Sequence, residues 1–584
     1  MTRAQALTEP NLSANSRASR NLITGFAASV ALVAAAFLPY CYGITVWFAL
    51  VPALLVSRSV GLKRLFLVAW AVGYLNCLII YYWLMIVSVP GGLLLPILLG
   101  IYWPVFFVLV EILARRFRVP RVLSVITLWP LLEFVRGWAF TGLPWFYLGH
   151  ALYRWPRLIQ SADLGGVLLV SVVIATVNGL LAEGLMRPST RGRRMAALAA
   201  AVLVFTANLA YGAWRFASVV ETPGPIVALV QPNVPQSLKI SQSEKESTRI
   251  FHDLRSLTLS DATKPAEAIF WPETIMPGIV GVDDYTVANG MEAGDILDEL
   301  AERGIMSPAQ REEILRETVA VPKASAAEAN FADIITRVCG ANLSNCLKTY
   351  DLMAVTAKLA GKPLVAGCIP ANLDGEHDLT GTYNRATQFD ASGREVAFYD
   401  KVHLVPFGEF IPFRESCPPV SHVIAAMMPV QPLTIAGPDF TVLDVGKYRY
   451  GPAICFEDTF SYIGRAYRAK GAQILLNITN DGWFGHSFEL EAHLANSLFR
   501  AVETRMAVIR AANTGVSAVI SPRGIVTSRL VDSSGRDREI KGVLVAGVPV
   551  SPDQTLYLTI GDWWLLALAC LPLLWALLAS LKRR

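Results

Sequence analysis

Charge is scarce in this chain and its cysteines are unpaired by spacing. The eight cysteines form no Cys-x-x-Cys pair and no Cys/His ligand spacing, which argues against a zinc site and a dithiol redox motif. Only 17% of the 584 residues are charged while 53% are hydrophobic, and the mean hydropathy is +0.44. A wholly soluble protein of that length carries more charge, so part of the chain belongs in a membrane. The net charge of +5 is modest. Its basic residues gather beside apolar segments instead of along a polar face, which leaves no nucleic-acid signature.

What is present begins with long apolar runs. The first, Leu22 to Tyr40, follows a polar leader carrying Arg3, Arg17 and Arg20. Ala34-Ala35-Ala36 resembles a signal-peptide cleavage region, but further runs follow at 44–57, 65–88, 92–113, 122–138, 166–186, 195–213 and 560–581. Most approach the ~20 residues of a spanning helix, giving eight candidates. Basic clusters fall in alternate connections: Arg58, Lys63 and Arg64; Arg115, Arg116, Arg118 and Arg121; Arg187, Arg191, Arg193 and Arg194; and Lys582-Arg583-Arg584 at the end. All lie on one side if both termini are cytoplasmic, which places residues 214–559 on the outer side. Among ionisable residues in the runs, Glu133 and Arg136 are deepest, and their spacing of three predicts a pair on one helix face.

Between residues 214 and 559 the texture changes to β-rich runs separated by polar turns and helical patterns, which predicts an α/β domain. Candidate strands are Ile226 to Val230, Ala268 to Trp271, Pro363 to Gly367, Arg385 to Asp390, Tyr448 to Cys455, Ile474 to Ile478, Val516 to Ser521 and Val543 to Val548. Residues Glu489 to Ala512 read as one helix whose buried face carries Leu490, Leu494, Leu498, Val502, Met506 and Ile509. The charged, alanine-rich stretch 283–350 reads as an inserted helical subdomain with runs Ile296 to Arg303 and Pro308 to Thr318. The domains expected are therefore 1–213, membrane helices; 214–559, an outer domain with the insertion 283–350; and 560–584, a last membrane helix with a basic tail.

Three stretches carry candidate chemistry. Gly451-Pro452-Ala453-Ile454-Cys455-Phe456-Glu457-Asp458 brings a cysteine to a strand end, where a thiol is exposed and the Phe456 N–H is free to receive an oxyanion. A lone cysteine beside apolar residues is ordinarily core. Here Phe270-Trp271-Pro272-Glu273-Thr274 adds a carboxylate suited to taking the thiol proton, and Tyr399-Asp400-Lys401-Val402-His403 adds an ammonium that favours thiolate. Glu409 and Glu457 are candidates for orienting the lysine or holding substrate, with structural ion pairing the alternative. Cys368 is the rival strand-end thiol, but no carboxylate follows it closely. Cys41, Cys77 and Cys570 lie in or beside apolar segments. Cys339 and Cys346 are near enough in sequence for a local disulfide in an oxidising compartment.

Glu273 in Trp-Pro-Glu-Thr, Lys401 in Asp-Lys-Val-His-Leu-Val-Pro-Phe-Gly-Glu and Cys455 in Ile-Cys-Phe-Glu-Asp resemble, in order, the Glu-Lys-Cys triad of the nitrilase (carbon-nitrogen hydrolase) superfamily. The flanking helices, together with Arg136-Gly137-Trp138-Ala139-Phe140-Thr141-Gly142-Leu143-Pro144-Trp145, resemble the apolipoprotein N-acyltransferase family over nearly the whole chain. That resemblance implies a multi-pass α-helical membrane domain plus a nitrilase-like αββα sandwich, in a bacterial inner membrane with the catalytic domain periplasmic. It implies Cys455 as nucleophile, Glu273 as base, Lys401 as oxyanion stabiliser, and Glu409, Glu457, Phe456 and Trp483 as supporting residues. The thiol of such an enzyme takes an acyl chain from a phospholipid and passes it to an apolipoprotein's N-terminal diacylglyceryl-cysteine, so the expected partners are a phospholipid acyl donor, an apolipoprotein acceptor and membrane lipids. No metal or organic cofactor is expected. Within the same fold a membrane-tethered amidase, with water as acceptor, is the alternative; a transporter or membrane scaffold whose outer domain only binds is a third reading. Ile411-Pro412-Phe413 and Val423 to Met428 are candidate arms dipping into the membrane interface.

Overall fold

The computed structural model describes residues 9–37, 43–186, 190–236, 244–274, 307–319, 349–373, 379–412, 414, 418–419, 421 and 434–581. Its N-terminal part is built from α1 (Glu9–Phe37), α2 (Val51–Ser57), α3 (Leu62–Ile80), α4 (Leu84–Val87), α5 (Val89–Leu99), α6 (Tyr102–Arg116), α7 (Arg121–Trp138), α8 (Ala162–Leu185) and α9 (Arg191–Ser218). Among the described residues seven spans are long and apolar enough to cross a membrane, six of them before the strands and one, Trp564–Leu581, after them.

The run at 44–57 is the exception. It forms a 3-10 turn, Ile44–Phe48, followed by α2, and 14 helical residues reach only ~21 Å against a hydrocarbon core of ~30 Å. Pro52 near the start of α2 interrupts the run. The backbone groups left over are met by buried Asn178 of α8, whose Oδ1 accepts from Leu50 N at 2.8 Å and whose Nδ2 donates to Val46 O at 2.9 Å. Broken helix is tolerated at such depth only where protein supplies the missing partners.

The basic connections gather at one end of the bundle. Arg115 donates to the carbonyls of Ser57, Arg58 and Val60, Arg115 and Arg121 both hold Glu111 at 2.9 Å, and Trp575 of the last helix donates to Arg118 O at 3.1 Å. The other end meets the α/β part: Tyr82 stacks on Phe488 and Trp83 packs edge-on against Phe484. Buried Asp163 takes Arg505 and Arg215, each at 2.7 Å.

Helix α9 continues past residue 213 to Ser218, and the chain then enters β1 (Thr222–Gln231), β2 (Ala268–Phe270), β3 (Leu364–Cys368), β4 (Ala371–Leu373), β5 (Leu379–Thr382), β6 (Arg385–Phe389), β7 (Glu395–Asp400), β8 (Leu443–Val445), β9 (Tyr448–Ile454), β10 (Ile474–Thr479), β11 (Ala507–Ala512), β12 (Ala518–Ile520), β13 (Val526–Arg529) and β14 (Gly542–Val550). Two six-stranded sheets result, ordered β14-β1-β2-β3-β6-β7 and β13-β12-β11-β10-β9-β8. Each has three parallel central strands with antiparallel flanks. Such central strands are buried along their whole length, as Ile474–Thr479 is, because both faces are covered. Val227, Phe270 and Val365 of one sheet share a core with Tyr450, Ile454 and Leu476 of the other, so the sheets pack face to face. Outside the first lie α10 (Glu244–Thr258) and α12 (Thr349–Ala360), and outside the second α13 (Ser461–Ala469) and α14 (Glu489–Thr504). The fold is an αββα sandwich.

The helix expected over Glu489 to Ala512 ends at Thr504. Arg505 turns left-handed at φ 54°, and Ala507–Ala512 is a central strand paired in parallel with β10. A strand buried on both faces lacks alternation and mimics a buried helical face in sequence. Glu133 and Arg136 of α7 both turn to the connection that follows: Glu133 accepts from Leu148 N at 2.7 Å and Arg136 donates to Trp145 O at 2.8 Å. Of the expected insertion 283–350, helix α11 (Pro308–Val319) is described. Ile296 to Arg303, Cys339, Cys346, Phe413 and Val423 to Met428 lie outside the described residues, as does Cys41.

Candidate active site

The site assembles at the carboxyl ends of strands. Ile454 closes β9, and Cys455 follows at φ 54°, a left-handed conformation that costs a non-glycine residue about 1–3 kcal/mol and is held only when its surroundings fix it. A 3-10 turn, Cys455–Thr459, begins there. Glu273 follows β2 and Lys401 follows β7, both buried. Gly367 of β3 passes directly under Glu273: a Cβ there would lie 2.5 Å from Pro272 O and 2.7 Å from Glu273 Cα. Only glycine permits that approach.

Lys401 Nζ stands 3.0 Å from Glu409 Oε1 and 3.7 Å from Glu273 Oε1. Asn384 ties the two carboxylates together, donating to Glu273 at 2.8 Å and to Glu409 at 2.9 Å. The second Glu273 oxygen accepts from Asn480 N at 2.9 Å and the second Glu409 oxygen from Val405 N at 2.8 Å. Burial works against the Lys401 charge, but Glu409 and then Glu273 more than offset it, holding the ammonium above the usual lysine range. Burial pushes the Cys455 thiol well above its ordinary value; Glu273 adds to that and Lys401 opposes it. Glu273, Lys401 and Cys455 thus act on one another electrostatically.

Glu457 has a different task from Glu409. Its Oε1 accepts from Tyr399 OH at 2.7 Å and from the amides of Val402 and His403 at 2.9 Å, and its Oε2 accepts from Ile454 N at 2.7 Å. The carboxylate therefore clamps the Lys401 segment to the Cys455 turn. Burial raises it to about 7, with Lys401 and the amide donors pulling the other way. Phe456 faces the membrane helices and packs with Phe484 against a cluster containing Tyr81, Trp83, Trp145 and Phe146. Trp483, in the turn after β10, is half exposed at 47%. Cys368 is buried, its sulfur 3.4 Å from Thr387 Oγ1, and burial raises its pKa to about 11. That environment does not suit a nucleophile.

Two residues not singled out in the sequence, Asn384 and His493, join Asp458 of the cysteine stretch in the site's framework. Asn384 bridges two carboxylates, Asp458 lies fully buried behind Cys455, and His493 of α14 reaches the Cys455 carbonyl at 3.3 Å. Asn384 lies one residue before β6, and its neighbours gave no motif. His493 hid inside a helical period read as scaffold.

Residues 29–180 match the Apolipoprotein N-acyltransferase N-terminal domain family, and residues 226–551 match the Carbon-nitrogen hydrolase family. The apolipoprotein N-acyltransferase of Geobacter metallireducens is 30% identical over 495 residues, 82% of this chain and 81% of that protein. The protein of the same name from Sinorhizobium medicae is 30% identical over 76% of this chain and 71% of its own length, and that from Bradyrhizobium diazoefficiens 29% identical over 86% and 80%. An amidase from Nesterenkonia sp. aligns at TM-score 0.33 and 17% identity, over 60% of this chain and 98% of that one. Matched in both its helical and its sandwich parts, the chain belongs to the apolipoprotein N-acyltransferase family of carbon-nitrogen hydrolases.

Proposed function

We propose that the protein transfers a fatty acyl chain from a phospholipid, through a thioester on Cys455, to the N-terminal amine of a diacylglyceryl-cysteine lipoprotein. The observation that carries this reading is the position of Cys455. The thiol feels both the Lys401 ammonium and the Glu273 carboxylate, and the residue beside it, Phe456, packs against aromatics of the membrane part. A soluble amide needs no such apolar approach; a lipid acyl chain does.

In the first half-reaction Glu273 takes the thiol proton and sulfur attacks the ester carbonyl. Lys401 and the Phe456 N–H stabilise the oxyanion, and the lysophospholipid alkoxide leaves with the proton from Glu273. In the second, the acceptor amine attacks the thioester, Glu273 takes its proton, and the thiolate leaves and is reprotonated. Glu409 orients Lys401, and Glu457 fixes the loop that carries it. The membrane is the bacterial inner membrane, with the sandwich on the periplasmic side and the basic connections in the cytoplasm, an orientation supported by their gathering at the opposite end of the bundle.

Intact mass of purified protein incubated with phospholipid and no acceptor tests the reading. A gain of one acyl chain, released by neutral hydroxylamine and absent from Cys455→Ser, is expected. Folded wild-type protein that forms no adduct would overturn the lipid-donor mechanism and favour an amidase.

A further inference from the structure

Against the Cys455 carbonyl lies a buried cluster that the chemistry above does not use. His493 sits at its centre. Its Nδ1 is 3.0 Å from Asp481 Oδ1, and its Nε2 is 2.8 Å from Asp458 Oδ1 and 3.3 Å from the Cys455 carbonyl. Both ring nitrogens face carboxylate acceptors, so both carry hydrogen and the ring is an imidazolium. Arg510 of β11 closes the cluster, 2.8 Å from Asp458 Oδ2 and 3.6 Å from Asp481 Oδ2, with Ser497 bonded to both Asp458 and Arg510. Glu489, four residues earlier on α14, approaches His493 at 4.0 Å. Thr479 donates to Asp481 at 2.8 Å. The membrane part covers the site with Trp145, whose ring centre is 5.6 Å from that of His493.

We infer that His493 is a positioning residue for the nucleophile: its imidazolium, gripped by Asp458 and Asp481, holds the Cys455 carbonyl from behind and balances the aspartate charge beside the thiol. The carbonyl, which also accepts from Asn477 Nδ2 at 3.0 Å, fixes the left-handed turn that aims sulfur at the reacting carbon and the Phe456 N–H at its oxygen. The inference rests on Cys455 being the nucleophile. The burial of His493 opposes its charge, yet Asp458, and Asp481 against Arg510, raise it to about 10, in keeping with the doubly donating ring.

The test uses full-length protein in detergent: the pH dependence of Cys455 alkylation by iodoacetamide, read by mass of its peptide, and single-turnover acylation by phospholipid. His493→Gln is expected to move the alkylation midpoint upward by about one pH unit, because a compensating positive charge is lost. It should slow acylation at least ~10-fold with KM for phospholipid little changed, the pattern of an interaction needed in the transition state. Asp481→Asn should move the midpoint down. A His493→Gln protein that matches wild type in both readouts overturns the inference. Should that variant fail to fold, Asp481→Asn decides alone, and a midpoint that stays or rises overturns it. Failure of the underlying reading looks different, since Cys455→Ser would then retain turnover whatever His493 does.

Discussion

At the residue scale the site separates carboxylates by what they touch. Glu273 and Glu409 face Lys401, Glu457 is spent on backbone amides, and Asp458 and Asp481 are claimed by His493 and Arg510. Glu489 is the outlier: it is fully buried, neither oxygen has a hydrogen-bond partner, and burial together with Asp481 pushes it well above the usual carboxylate range. Folding therefore favours its neutral form. An acid whose folded pKa is raised exacts no penalty below its unfolded value near 4.5 and an increasing one above it. Glu489→Gln is thus expected to leave the apparent Tm unchanged at pH 4.5 and to raise it at pH 8; a lower Tm at pH 8 would mean that the carboxylate is ionised and paired. The His493 contribution changes with pH in the same direction. Its raised pKa stabilises the fold fully below about pH 6.5 and ceases to do so as pH rises through about 10.

At the element scale α14 joins the two halves of the molecule. Leu494, Leu498 and Ala501 face the sandwich core, while Phe499 and Val502 face the core of the membrane helices. Its apolar period was legible in the sequence, as were the eight strand-forming runs, because local pattern alone specifies them. Its end was not, since Ala507 to Ala512 owes its strand form to β10 beside it. Short strands such as Leu443–Val445 and Val526–Arg529 left too little pattern to read. Helix α8 shows a second tertiary demand. It kinks at Gly165 and Gly166, the latter at φ 70°, and a Cβ there would sit 2.7 Å from the Tyr557 ring. The kink frees Val167 N to donate to Glu503 of α14 at 2.8 Å. Gly166→Ala should cost at least ~1 kcal/mol, read as a lower apparent Tm in detergent; an unchanged Tm would show that the ring gives way.

For the whole molecule, the separation of basic connections from the sandwich decides which compartment the site sees. Single cysteines at Arg191, at the start of α9, and at Ser534, in an exposed turn of the sandwich, test it with a membrane-impermeant maleimide on intact spheroplasts. Labelling above the wild-type background is expected at Ser534 alone. Labelling at Arg191 alone would reverse the orientation. The buried ion pair of Asp163 in α8 with Arg505 ties sandwich and helices together at this junction, while Arg215 of α9 holds Asp163 from within the helical part; a bare buried charge left by losing one partner is far costlier than an exposed pair.

The sequence by itself determined the membrane character, the side on which basic residues gather, the α/β texture and the order of Glu273, Lys401 and Cys455, because these depend on composition, local period and short motifs. Only the tertiary structure decided that residues 44–57 are a short helical pair closed by Asn178, that Glu457 clamps backbone while Glu409 grips the lysine, and that His493 stands behind Cys455. Each of those depends on partners distant along the chain, and no local pattern encodes which distant group will satisfy a buried donor or charge.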